Sequence, residues 1–227
     1  MAAVFVAANW FEYKILCNHG VKRPAKKGRV TTLKKIIEKA LRESIKAKEG
    51  FIKKSADDLI LFAEKIARAL TSDRKLMLCG NGGSAADAQH IAAEFVNRFL
   101  LERPPLPAIA LTTDTSIITS IGNDYEFKEI FSKQIKALGV EGDILLALST
   151  SGNSENILTA VNVAKTRRIY TVGLTGGDGG ELVGLVDLAL IVESDSTARI
   201  QETHILAGHL ICQLVDYILF QQGVKED

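Results

Sequence analysis

Four hydroxyl side chains fall within six residues at Ser149-Thr150-Ser151-Gly152-Asn153-Ser154. The stretch directly follows the apolar run Asp143–Leu148 and opens a helical pattern through Ile157 and Val161. Free backbone N–H groups at a helix start already favour negative charge, and clustered hydroxyl donors there make an oxyanion cradle suited to phosphate. An ordinary helix cap needs one hydroxyl, not four.

A second loop, Cys79-Gly-Asn-Gly-Gly-Ser-Ala-Ala, follows the apolar run Lys75–Cys79. Gly80, Gly82 and Gly83 let backbone approach a ligand closely, and Ser84 opens a helix. A tight strand-to-helix turn without a ligand explains the glycines equally well. The Gly-Lys-Ser/Thr ending of a nucleotide P-loop is absent. On the helix from Ser84, His90 and Glu94 stand four apart and share a face. Imidazole beside carboxylate suits zinc, but spacing alone favours an ordinary surface pair. The last helix carries Gln201, Glu202, His204 and His209. Gln201 and His209, eight apart, lie about 80° off in projection, whereas Glu202 and His209, seven apart, align better. Asn123 and Asp124, in Gly122-Asn-Asp, read by themselves as a helix end and turn.

The elements that must hold these residues show in the periodicity. Short apolar runs at Lys75–Cys79, Pro107–Leu111, Asp143–Ser149, Ile169–Leu174 and Leu188–Val192 alternate with helical patterns. Most are apolar throughout, as strands covered on both faces must be. The alternation predicts an α/β fold: a doubly wound, five-stranded parallel sheet flanked by helices. Ligands of such sheets bind beyond the carboxyl ends of the strands, where the two loops fall. Two N-terminal helices precede the sheet. One runs from a Thr31–Thr32 cap to a stop at Gly50, the second opens at Ser55-x-x-Asp58, and a long helix over Ala198–Gln221 closes the chain. Residues 1–30 read as an extension of disordered character, with a basic Pro/Gly-containing connector; residues 31–227 read as one domain.

The whole-chain numbers exclude several classes. At 227 residues the chain can bury a full core. A net charge of +1 marks neither a nucleic-acid binder nor a partner of acidic surfaces. Cys17, Cys79 and Cys212 are unpaired in spacing, which fits a reducing cytoplasm. No apolar run approaches the roughly 20 residues of a membrane span, and the order of apolar and basic residues at the start does not fit a secretory signal.

Leu148–Ser154 resembles the phosphosugar loop of the sugar isomerase (SIS) domain family. CGNGGSAADAQHIAAEF at 79–95, IGND at 121–124 and ARIQETHILAGH at 198–209 resemble, within it, the phosphoheptose isomerases. The likeness runs in order from about Thr31 to Phe220. It implies the SIS fold and an aldose–ketose isomerase that converts sedoheptulose 7-phosphate to D-glycero-D-manno-heptose 7-phosphate through an enediol, in synthesis of a lipopolysaccharide precursor. It implies one zinc ion per subunit on His90, Glu94, Gln201 and His209, with Glu94 as base and His209 as acid. Ser149, Thr150, Ser151 and Ser154 would hold phosphate; Asn81, Gly82, Gly83, Ser84, Asn123, Asp124, Glu94 and Gln201 would contact the sugar. It further implies a cytoplasmic homotetramer with active sites at subunit interfaces. Some relatives carry an acid where this chain has Ala198. Two other readings stay open: a non-catalytic SIS protein that binds the replication initiator DnaA, sharing the Arg103–Leu111 pattern, and a phosphosugar-sensing SIS module. Retention of both Glu94 and His209 favours the enzyme.

Overall fold

A computed structural model describes residues 26–221, with side chains from residue 30 onward. The expected extension over residues 1–30 lies almost wholly outside the described residues. Chain contacts divide into two units, Met1–Arg42 and Glu43–Asp227. What is described of the first is the opening of helix α1 (Lys26–Thr71).

The second unit holds the sheet. In chain order it contains β1 (Leu76–Gly80), α2 (Gly83–Val96), β2 (Ala108–Ala110), α3 (Thr115–Asp124), α4 (Ser132–Leu138), β3 (Ile144–Ser149), α5 (Glu155–Thr166), β4 (Tyr170–Gly176), β5 (Leu188–Val192) and α6 (Thr197–Asp216). All strand pairs are parallel, in the order β2-β1-β3-β4-β5. The five runs predicted from sequence are the five strands, with ends displaced by no more than two residues.

Their apolar character follows from burial on both faces. Leu76, Leu78, Ile144, Leu146 and Leu148 point to one side, where Phe51, Phe62, Ile66, Ile91, Phe95, Ile211 and Val215 pack on them. Met77, Cys79, Leu145 and Ala147 point to the other, against Ile130, Phe131, Ile135, Ile157 and Val161. The period-2 alternation therefore divides one apolar run between two cores.

The expected break between two N-terminal helices is absent. Gly50 does not end α1, and Ser55 sits inside it, 5% exposed. A mid-helix glycine costs about 1 kcal/mol relative to alanine. Burial of Phe51, Leu59, Phe62 and Ile66 on the same helix is worth more than that.

α6 with its terminal π turn, Thr197–Gln221, is long and apolar enough to cross a membrane by length and composition, which corrects the expectation that nothing approaches such a length. Its apolar residues are used inside the fold: Ile200, Ala207, Ile211 and Val215 are buried in the first core.

Candidate active site

The strand order reverses direction between β1 and β3, since β2 lies on one side of β1 while β3, β4 and β5 follow on the other. The crevice at such a switch point is where open α/β sheets bind ligands. The loops after β1 and β3, singled out from sequence, border that crevice.

The hydroxyl loop is held from inside and from behind. Ser149 Oγ accepts from the Gly152 N–H at 3.1 Å and lies 3.2 Å from Ser154 Oγ. Gly152 has φ +67, and a Cβ there would collide with the Gly179 carbonyl. The carbonyl of Gly152 accepts from Leu182 N–H, and Asn153 Oδ1 accepts from Glu181 N–H at 2.9 Å. The turn after β4 thus buttresses the loop after β3, a role not visible in local spacing. Ser154 is the N-cap of α5, yet its hydroxyl makes no capping bond. Thr150 is half-buried and Ser151 exposed at the rim.

The loop after β1 brings Gly82, at φ +54, to the start of α2, with no side-chain cap on that helix. Ser84 is buried. Asn81 lines a cleft of about 550 Å³ with Ser154, Asn156, Glu126, Phe127 and Lys128. Lys128 was not legible from spacing; its ammonium meets Glu126 at 2.7 Å, and that hydrogen bond raises its pKa. Asn123 and Asp124 end α3, exposed, with Asn123 Nδ2 donating to Asp124 Oδ1 at 2.8 Å.

On the other side of the sheet, α2 and α6 pack closely. Gly208 makes this possible, because a Cβ there would stand 2.5 Å from Ile91 Cδ1. The neighbouring His209 meets His90, with Nε2 atoms 2.9 Å apart, and Glu94 Oε1 is 3.5 Å from His90 Nε2. Among the described residues, His90, Glu94 and His209 offer ligand atoms all within 4.8 Å of one another. Zinc bonds of 2.0–2.1 Å in a tetrahedron put donor atoms roughly 3.3 Å apart, so this donor set fits a zinc-sized ion. Phe99 stacks on the His209 ring at 5.3 Å between centroids. Gln201 lies elsewhere on α6, with its amide against Gly83. Glu202 pairs with Arg199 at 2.6 Å, and Ala198 is exposed in the first turn of α6.

His204 is fully buried, with Nε2 3.2 Å from the Thr175 carbonyl. Burial lowers its pKa from 6.5 to about 4. Between those values the unfolded chain takes up a proton that the folded chain refuses, so stability falls as pH drops through this window. The difference amounts to about 3 kcal/mol. Burial raises the Asp87 carboxyl's pKa, which acts in the opposite sense. A His204→Gln variant should therefore lose less stability between pH 7 and pH 4 than the unaltered chain, measured by denaturant titration at each pH; equal losses would rule out His204 as the source.

Known proteins align with this picture. The SIS domain family matches residues 41–176. The chain is 55% identical over 186 residues to a phosphoheptose isomerase of Nitratidesulfovibrio vulgaris, covering 82% of this chain and 89% of that one. Solved structures of phosphoheptose isomerases from Neisseria gonorrhoeae and Francisella tularensis superpose with TM-scores of 0.77 and 0.78 at 45% and 44% identity. They cover 81% and 82% of this chain and 98% of each of theirs. The chain belongs to the SIS domain family and, within it, to the phosphoheptose isomerases; it is an isomerase.

Proposed function

We propose that the chain interconverts sedoheptulose 7-phosphate and D-glycero-D-manno-heptose 7-phosphate, in the cytoplasm, through an enediol. The observation that carries this reading is the meeting of His90, Glu94 and His209 in a chain 55% identical to a phosphoheptose isomerase. A 1,2-shift of a proton between carbons needs a base for the C–H proton and a second group for the oxygens. Glu94, half-buried beside the two imidazoles, takes the proton from one carbon and returns it to the next. His209, its ring fixed by Phe99, carries the proton on the oxygens. His90, Glu94 and His209, whose donor atoms converge, would hold one zinc ion per subunit, with Gln201, its amide against Gly83 here, as the fourth ligand that the family resemblance implies; when bound, the ion supplies Lewis-acid polarisation of the carbonyl.

Ser149, Thr150, Ser151 and Ser154 grip the phosphate. Asn81, Gly82, Gly83, Ser84, Asn123 and Asp124 contact the sugar. The uncommitted cap position of Ser154 supports this, since the first N–H groups of α5 are left to an anion. Purified protein given sedoheptulose 7-phosphate should produce the aldose, more slowly after chelation and again at full rate with added zinc. Absence of turnover in every case overturns the assignment. Ser151→Ala and Ser154→Ala should each raise KM about tenfold or more, because a hydrogen bond to a charged group is worth roughly 1.5–3 kcal/mol. Unchanged KM in both would remove the phosphate role.

The assembly is proposed to be a homotetramer with active sites at subunit interfaces. His90 lies seven residues past Gly83, about 10 Å along the helix, so its position on α2 is two turns beyond the sugar-contacting loop after β1. Leu33, Ile36, Ile37, Leu41 and Ile45 stand 46–68% exposed along α1, an apolar stripe suited to another subunit. Sedimentation should give four times the chain mass of 24.6 kDa; a monomer at micromolar concentration contradicts it.

A further inference from the structure

Asn156 is 3% exposed in the first turn of α5. A buried amide is unfavourable there unless its hydrogen bonds are made. Its partner lies 75 residues away: Asn81 Nδ2 donates to Asn156 Oδ1 at 2.8 Å, and Asn156 Nδ2 donates to Asn81 Oδ1 at 2.8 Å. This reciprocal pair spans the switch point, from the loop after β1 to the helix after β3. Neither amide can turn over alone without setting oxygen against oxygen and nitrogen against nitrogen. Each side chain has two N–H donors and two acceptor lone pairs. The pair uses one of each, so Asn81 keeps one donor and one acceptor for a ligand in the cleft it lines with Ser154.

We propose that Asn156 is a positioning residue for the sugar: it fixes the Asn81 amide and locks the sugar-contacting loop to the phosphate-gripping loop. The inference rests on the isomerase reading above. It requires Asn156 to act through Asn81, without touching the reacting atoms.

The test is a double-mutant cycle of Asn81→Ala and Asn156→Ala, with Asn156→Asp as the conservative variant. It is read by kcat/KM with sedoheptulose 7-phosphate and by calorimetric affinity for inorganic phosphate. Asn156→Ala should lower kcat/KM about 25-fold, two hydrogen bonds at roughly a factor of five each. Asn156→Asp can still accept from Asn81 Nδ2 and should lose only about fivefold. The double variant should be no worse than Asn81→Ala alone, because Asn156 has nothing left to position. Affinity for phosphate should move less than twofold. Additive losses, an Asp variant as impaired as the Ala variant, or a parallel loss of phosphate affinity would overturn the proposal and leave the isomerase reading intact. An unaltered chain that fails to turn over the substrate would instead overturn the isomerase reading, and this one with it.

Discussion

Replacing Glu94 with Gln is expected to lower kcat by a factor of about 10² to 10⁴, the usual contribution of a positioned base. The amide keeps the shape of the carboxylate but accepts no proton at neutral pH. The side chain is half-buried on α2, and its backbone carbonyl, which the substitution leaves intact, is bound by Arg103 at 2.9 Å. The fold should therefore persist, and thermal midpoint and oligomer mass should match the unaltered chain. Glu94 is also a proposed metal ligand, so the variant must be assayed at saturating zinc with bound metal measured. Loss of turnover at full metal occupancy assigns the proton transfer to this carboxylate. Appreciable kcat in a folded Glu94→Gln protein would exclude Glu94 as the base.

Much of the fold is legible because its strands are buried on both faces. Ile144–Ser149 is apolar nearly throughout for a simple reason: alternate side chains enter different cores, and neither face meets water. The break expected at Gly50 does not form, for the opposite reason. A glycine is a local stop signal, but the residues that override it, Phe51 and Phe62, gain their energy from packing on the sheet. That gain is invisible in a short window.

The site divides in the same way. The hydroxyl loop announces itself because its chemistry is contiguous in sequence. His90 and Glu94 share a helical face, yet spacing could not distinguish Gln201 from Glu202 as companions of His209. The close approach allowed by Gly208 brings His209 to His90, and Gln201 rests against Gly83. Resemblance to the family, not helical projection, named Gln201. Asn156 and the buttressing turn at Gly179–Glu181 escape a local reading because each acts on a partner distant along the chain, 28 residues from Glu181 to Asn153 and 75 from Asn156 to Asn81.

Arg103 shows how far such a long-range contact can reach, and its loss should be the most destabilising change considered. The guanidinium is 1% exposed, and its Nε donates to Asp216 Oδ1 at 2.8 Å, whose side chain is 6% exposed. Its Nη1 donates to the Phe95 carbonyl at 2.8 Å and to Pro104 at 3.1 Å, while Nη2 donates to the Glu94 carbonyl. One side chain thus satisfies carbonyls at the C-terminus of α2, which have no intrahelical partner, and places a cation where the helix dipole favours one. It ties the same helix end to the end of α6, so the helices carrying Glu94 and His209 are joined beyond the triad. Arg103→Leu removes these bonds and leaves Asp216 charged and buried. Removing one partner of such a pair costs about 3–5 kcal/mol, or roughly 10 °C in Tm for a domain of this size. Arg103→Leu combined with Asp216→Leu should recover part of that loss, because no unpaired charge remains. Calorimetry at one fixed protein concentration makes the comparison, since assembly also shifts Tm. A single variant within 2 °C of the unaltered chain, or a double variant less stable than the single, would mean that the pair does not hold the two helices together.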